Sequence, residues 1–191
     1  TADGEKPERV AIIHCVGSRD KNAGAHEYCS RICCMYSLKQ AHLVRDKTHA
    51  DVYEFYMDMR ALGKGYEEFY ERVQEEGVVM VRGRGAEVQV LPSGKLRVTG
   101  EDANLGKLVA VDVEMVVLSS AIEAPADASK VGSLFGLSRT SDGWFAEAHP
   151  KLKPVDAPTK GIFIAGCVES PKDVKDSVTQ ASAAAARASL L

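Results

Sequence analysis

No apolar run in this sequence approaches the roughly 18 residues needed to cross a bilayer. Its polar opening, TADGEKPERV, is not followed by the apolar stretch of a secretory leader. Direct membrane insertion is therefore not expected. A basic excess is also missing: 24 Lys and Arg against 27 Asp and Glu give a formal charge of −3, and no basic stripe of the kind that grips nucleic acid stands out. No residue reads as a hydrolytic nucleophile with its base in sequence, so group-transfer chemistry is not expected. No G-x-G-x-x-G follows the first predicted strand, which argues against a dinucleotide pyrophosphate on that turn. The chain starts without Met and is expected to be a piece of a longer protein. Five cysteines, an odd number without a leader, point to a reducing, cytoplasmic setting. There, cysteines serve metal or redox chemistry more often than structural bridges.

What is present is ordinary in bulk: 191 residues, 45% hydrophobic and 27% charged, enough for one large domain or two small ones. Residues 9–16 read as a buried strand. A helix is expected from about Ser30, as N-cap, to Lys47. A strand follows at 51–57, a helix at 65–76 closed by Gly77, and a strand at 78–81. Residues 86–91, 95–99 and 108–113 alternate as a meander around Pro92-Ser93-Gly94 and Asn104–Gly106. Residues 115–118 return as a buried strand. Residues 121–160, rich in Pro, Gly, Ala and Asp, read as a connection. GIFIAG at 161–166 is expected as a strand, and 172–191 as an alanine-rich helix. The expected division is 1–121 and 122–191.

The strongest chemical signal is the spacing C-x13-C-x3-C-C at Cys15, Cys29, Cys33 and Cys34. A strand end, a loop and a helix start make a compact place for negative charge. Backbone N–H groups and the positive end of the helix dipole offset thiolates or a cluster that they hold. Cys29 and Cys33, four apart, would share a face of a helical first turn, with Cys34 about 100° away. Spacing alone leaves three readings: an iron–sulfur cluster, a four-cysteine zinc site, or unligated redox thiols. His14 and His26, near the cysteines, are reserve ligands. The acidic pair Glu67-Glu68 after Lys64 suits a helix N-terminus electrostatically.

The order βαβαβ, meander, β, crossing, β, α resembles a pyridine-nucleotide-disulfide-reductase-type dinucleotide domain with part of a flavin domain. More specifically, CVGSRD, YCSRICCMYSLKQAH, MDMRALGKGYEEFYERVQEEGV and GIFIAGC with PKDVKDSVTQASAAAARA resemble the heterodisulfide reductase A-subunit family. They also resemble its relatives in quinone-interacting and hydrogenase-linked electron-transfer complexes. The resemblance covers nearly the whole chain and implies the C-terminal part of a thioredoxin-reductase-like core. The expected class is thus α/β: a Rossmann-like, NAD-domain-like parallel sheet with an antiparallel meander, plus a C-terminal strand–helix fragment of an FAD domain.

The resemblance implies part of an iron–sulfur flavoprotein oxidoreductase, inactive as an isolated piece, that relays electrons among FAD, [4Fe–4S] clusters and partner subunits. The alternative is a non-catalytic docking scaffold with zinc or unligated thiols. Cys15, Cys29, Cys33 and Cys34 are the implied cluster ligands. The family's ferredoxin-type C-x2-C-x2-C-x3-C run and flavin fingerprint are missing from this stretch. GIFIAGC resembles the G-[IL]-[FY]-x-A-G-D signature of flavin reductases, with Cys167 in place of the acid. Thr179-Gln180-Ala181 resembles R-Q-A. Gly166, Cys167, Gln180 and Ala181 are therefore the implied FAD contacts, completed only in the full-length protein. Other subunits are the expected partners, with a homodimer among the assemblies allowed, and no nucleic acid.

Overall fold

Residues 9–16 are apolar on both faces of a strand, as befits the centre of a parallel sheet covered on both sides. In the computed structural model, which describes residue 1 and residues 4–190, this run is strand β1 (Arg9–Val16). Helix α1 (Cys33–Thr48), strand β2 (Asp51–Tyr56), helix α2 (Tyr66–Glu75) and strand β3 (Val79–Arg82) follow. Three antiparallel strands come next, β4 (Gly85–Val90), β5 (Leu96–Asp102) and β6 (Lys107–Val113), and then β7 (Met115–Ser120). The parallel sheet has the order β3-β2-β1-β7, and the meander pairs as β4-β5-β6. Strand order reverses between β1 and β7, so the carboxyl end of β1 lies at a topological switch point, where open α/β sheets bind ligands.

The chain divides into two compact units. The first comprises residues 1–29 and 33–121. Its sheet is filled on both faces by alternation along β1. Val10 and Ile12 pack with Val52 against Leu38 and Ala41 of α1 and Val73 of α2. Ala11 and Ile13 pack with Phe55 and Val81 against Val98, Val111 and Val113 of the meander. Full burial of side chains of this size contributes about 1.5–3 kcal/mol each. Gly83 allows close passage beside β5, since a Cβ there would lie 1.5 Å from the Glu101 carbonyl oxygen.

The second unit comprises residues 30–32 and 122–191. Its core gathers Ala128, Phe145, Ala157 and Ile164. It holds helix α3 (Ala128–Phe135), a single 3-10 turn at Gly166–Val168, and helix α4 (Val174–Ala188), capped by the Asp173 carboxylate accepting from the Asp176 N–H at 2.7 Å. No described helix is long and apolar enough to cross a membrane.

Three details differ from the sequence reading. Helix α3 was not expected in the 121–160 connection. It is short and carries Gly132, and it ends at Gly136 in the left-handed conformation (φ 63°), with the Leu137 N–H returning to the Gly132 carbonyl. Residues 161–166 make one isolated antiparallel bridge, Asp156 with Phe163, rather than an extended strand, because the run pairs only with its own approach at 155–157. Helix α1 starts at Cys33, not near Ser30. The Ser30 hydroxyl accepts instead from the Ile122 N–H (2.9 Å), and Arg31 takes a left-handed φ of 64°, which breaks the helix before it begins.

Candidate functional site

The carboxyl end of β1 carries a β-bulge. Ile13 pairs with Leu118 and Val16 with Ser120, so His14 and Cys15 together oppose one residue of β7. Cys15 accommodates the extra residue in the left-handed region, φ 57°. For a residue with a Cβ this costs about 1–3 kcal/mol and marks a place fixed by its surroundings. Strict alternation would send Cys15 to the meander face with Ala11 and Ile13. The bulge ends that alternation, and Cys15 meets Cys33 at the start of α1.

Cys15, Cys33 and Cys34 form one buried group, each less than 5% exposed. Cys33 sits between the other two and hydrogen-bonds to both. Those bonds, with burial, hold its proton and push its pKa upward. The bond from Cys33 lowers Cys34 to about 4, against the opposing effect of burial and with help from His14 and a backbone contact at Arg60. The same donor lowers Cys15 to about 6, aided by the charge of Arg19. Two thiolates around one shared thiol donor are thus favoured near neutrality.

Beneath them lies a buried ion pair. His14 Nε2 and Glu54 Oε2 are 3.0 Å apart. Both side chains project from the α1 face of the sheet, in phase with Val10, Ile12 and Val52. Burial lowers the His14 pKa, but Cys34 and Glu54 outweigh it and raise the group to about 9. An imidazolium therefore stands between a thiolate and a carboxylate. The Ser37 and Ser119 hydroxyls meet at 2.6 Å and tie α1 to β7.

Cys29 is half-buried and precedes α1 instead of joining its first turn. Its thiol is within electrostatic reach of Arg19, as is that of Cys15. The Arg19 guanidinium is bonded to Asp58 at 2.5 Å, just past β2, and the Asp58 carbonyl oxygen lies 3.7 Å from Cys34 Sγ. His26 of the same loop stacks on Tyr28 and hydrogen-bonds through its backbone to Gly17. No disulfide joins any of the five cysteines. Among the described residues, no group of three or more His, Cys, Asp or Glu side chains stands arranged to hold a metal ion.

The residues read as flavin contacts lie in the second unit. The Gly166 N–H donates to Gln180 Oε1 at 2.7 Å, and Gly166 is left-handed at φ 75°. Gln180 therefore links α4 to the turn that carries the exposed Cys167. Ala181 follows on α4. A separate groove of about 700 Å³ between α1 and α2, lined by Met35, His42, Lys64 and Phe69 among others, contains none of the cysteines. Sequence reasoning missed Glu54, Arg19 and Asp58 as members of the thiol site. A carboxylate in mid-strand within VYEFY was the available signal for Glu54. The loop position of Arg19 offered none.

No family model matches the chain. Curated relatives do. It is 51% identical over 191 residues to the A subunit of the H(2):CoB-CoM heterodisulfide,ferredoxin reductase of Methanothermobacter thermautotrophicus, covering 99% of this chain. It is 50% identical over 192 residues to the second iron-sulfur A subunit of the CoB--CoM heterodisulfide reductase of Methanopyrus kandleri, covering 98%. The chain belongs to the heterodisulfide reductase A-subunit family. It spans about 29% of the length of each of these two family members.

Solved structures agree on the fold. The thioredoxin reductase of Lactococcus lactis matches with a TM-score of 0.59 at 17% identity, over 97% of this chain and 53% of that one. That of T. acidophilum matches with a TM-score of 0.54 at 16% identity, over 94% and 51%. This segment of the heterodisulfide reductase A-subunit family is therefore a Rossmann-like α/β fold with a parallel sheet and an antiparallel meander, as its residues led us to expect.

Proposed function

We propose that this chain is the thiol-bearing electron-transfer segment of a heterodisulfide-reductase-type oxidoreductase, working with FAD, [4Fe–4S] clusters and the other subunits of a larger cytoplasmic complex. The observation that carries this reading is the buried group of Cys15, Cys33 and Cys34 at the switch point of the sheet, two of the three favoured as thiolates. On this reading Cys15, Cys29, Cys33 and Cys34 hold one [4Fe–4S] cluster. The donor chemistry suits it, since thiolate sulfur is the usual ligand and two thiols here are already acidic. When bound, the cluster supplies one-electron chemistry. The thiols, as they stand, are not arranged to hold an ion, so ligation includes an adjustment of their positions.

The protein's own groups have separable tasks on this reading. Cys33 shares its proton between the sulfurs of Cys15 and Cys34, and would have to give it up to serve as a thiolate ligand. His14, kept cationic by Glu54, balances charge at Cys34. The hydrophobic faces of β1 and α1 keep water from the sulfurs. In the second unit, Gly166, Cys167, Gln180 and Ala181 contact part of FAD, whose site is completed by residues of the longer protein. Gly166 suits this use, because it brings bare backbone to the turn and Gln180 fixes that turn.

A second reading, unligated redox thiols on a docking scaffold, is favoured by the same unready arrangement. Anaerobic purification of the full-length protein, with iron and acid-labile sulfide analysis and electron paramagnetic resonance, separates the two. Iron and sulfide that depend on these cysteines are expected. Iron and sulfide contents left unchanged when these cysteines are replaced by serine would overturn the cluster.

A further inference from the structure

Met35, Lys39, His42 and Leu43 recur along α1 at spacings that put them on one helix face. Phe69 and Arg72 of α2, with Lys64 in the turn before it, complete the lining of the groove of about 700 Å³. The groove lies wholly within the first unit. Its apolar part is Met35, Leu43 and Phe69, each half-buried. The Phe69 ring is held from two sides. His42 meets it edge-on, 6.2 Å between ring centroids, and the Arg72 guanidinium carbon lies 4.9 Å over its face. His42 is itself engaged by Glu76, Nδ1 to Oε2 at 2.6 Å, and Glu76 also lies 3.8 Å from Arg72. This apolar floor is therefore preformed.

Charge surrounds the floor. Lys39, Lys64 and Arg72 are exposed, and Glu68 is the one carboxylate among the lining residues. Lys39 and Lys64 make no ion pair among the described residues. Positive charge is thus in excess here, in a chain whose formal net charge is −3. A pocket for a small molecule orients its ligand by a few convergent polar groups inside the cavity. Here His42 is already engaged and the cations are in solvent. An apolar centre with a charged rim, built from Met, an aromatic residue and Arg, is the anatomy of a protein–protein patch. The groove also begins at the thiol group. Met35 follows Cys34 directly, and the segment whose Asp58 carbonyl lies 3.7 Å from Cys34 Sγ runs on to Lys64.

We propose that the groove between α1 and α2 is the docking site for an acidic segment of another subunit. That segment places a large apolar side chain on Met35, Leu43 and Phe69, and carboxylates on Lys39 and Lys64. This rests on the reading that the chain works among other subunits, and it needs neither iron nor flavin. Burial on the floor supplies the hold, and the rim charges supply steering and register. A subunit seated there abuts the start of α1, one residue from Cys34.

The test is carbodiimide cross-linking of the purified complex that contains the full-length protein, since this reagent joins a lysine amine to a carboxylate in direct contact with it. Lys39 and Lys64 should be joined to Asp or Glu of another subunit. Both should be acetylated more slowly in the complex than in the full-length protein alone. Lys39→Glu combined with Lys64→Glu should weaken association with the separated partner subunits at least tenfold in low salt, and the difference should shrink as salt rises. Lys39→Arg combined with Lys64→Arg should associate as wild type does. Leu43→Gln should weaken association in low and high salt alike. An unchanged melting temperature shows that these variants fold. Cross-links only within this protein or to a second copy of it, equal acetylation with and without partners, or wild-type association of the charge-reversed protein would overturn the proposal. An iron-free complex that still gives the cross-links would overturn the cluster reading and support the docking site. A full-length protein that assembles with no other subunit would overturn both the premise and the docking site.

Discussion

His14 Nε2 and Glu54 Oε2 meet at 3.0 Å with almost no exposure, 3% and 0% for the two residues. Two neighbouring strands thereby place an ion pair on the same sheet face as the buried Val10, Ile12 and Val52. Removing one partner of such a pair strands the other charge and costs about 3–5 kcal/mol. Glu54→Ala should lose stability on that scale. Chemical denaturation of the metal-free full-length protein checks it, and a loss below about 1 kcal/mol would mean that the pair is not ionic.

The same neighbourhood fixes a pH dependence. Cys34 is lowered from 9.0 to about 4, so its contribution to stability is complete above 9.0 and falls away as pH drops toward 4. His14 is raised from 6.5 to about 9, so its contribution is complete below 6.5 and is lost as pH rises through 9. Cys15, lowered from 9.0 to about 6, adds a slope of the same sign as Cys34 down to about 6; that of His14 opposes both between 6.5 and 9, and of these three only the slope of Cys34 remains from 6 toward 4. Metal-free protein should therefore lose stability on acidification from 6.5 toward 4, and the slope should shrink by about one proton in Cys34→Ser. An identical slope in that variant would show that Cys34 is an ordinary thiol.

Gly83 tests the packing of the meander on the sheet. A Cβ there would collide with the Glu101 carbonyl, and backbone cannot swing aside as a side chain can. Gly83→Ala should cost about 1–3 kcal/mol or more, as overpacking does. A melting temperature equal to wild type would count against this close approach.

Iron content of single variants tests the ligand set. Cys15→Ser, Cys29→Ser, Cys33→Ser and Cys34→Ser should each reduce reconstituted iron and sulfide, whereas Cys167→Ser should not. Loss in Cys167→Ser alongside full retention in any of the four would show that the assignment is wrong.

Nicotinamide nucleotides should not bind this segment tightly. Gly17 is left-handed at φ 78°, but the first turn of α1 is occupied by Cys33 and Cys34, where a pyrophosphate would need bare backbone. Calorimetric titration with NADH should give no saturable heat.

Much of this could be read from residues alone, and the reasons are local. The unbroken apolar run Val10–Ile13 announces a strand buried on both faces. The alternation in 86–113, punctuated by Pro-Ser-Gly, announces the meander. Cys15, Cys33 and Cys34 lie together because a strand end and the next helix start are neighbours in any βα unit. What stayed hidden depends on partners far along the chain. The helix could not be trimmed to Cys33 without knowing that the Ser30 hydroxyl serves Ile122, and Asp58 could not be paired with Arg19 across 39 residues of sequence. Helix α3 was hidden for a different reason: eight residues with an internal glycine carry too little periodicity to register.

The bulge at His14 and Cys15 also governs how this segment tolerates changes of length. The tip of the following loop, residues 21–24, is exposed, so residues added or removed there leave both ends of that loop in place. Deleting a single residue between Ile13 and Val16 would straighten the strand and reset its phase, turning the imidazole and the thiol away from their present neighbours together. Natural and engineered variants should accordingly differ in length at the loop tip and keep the spacing across the bulge.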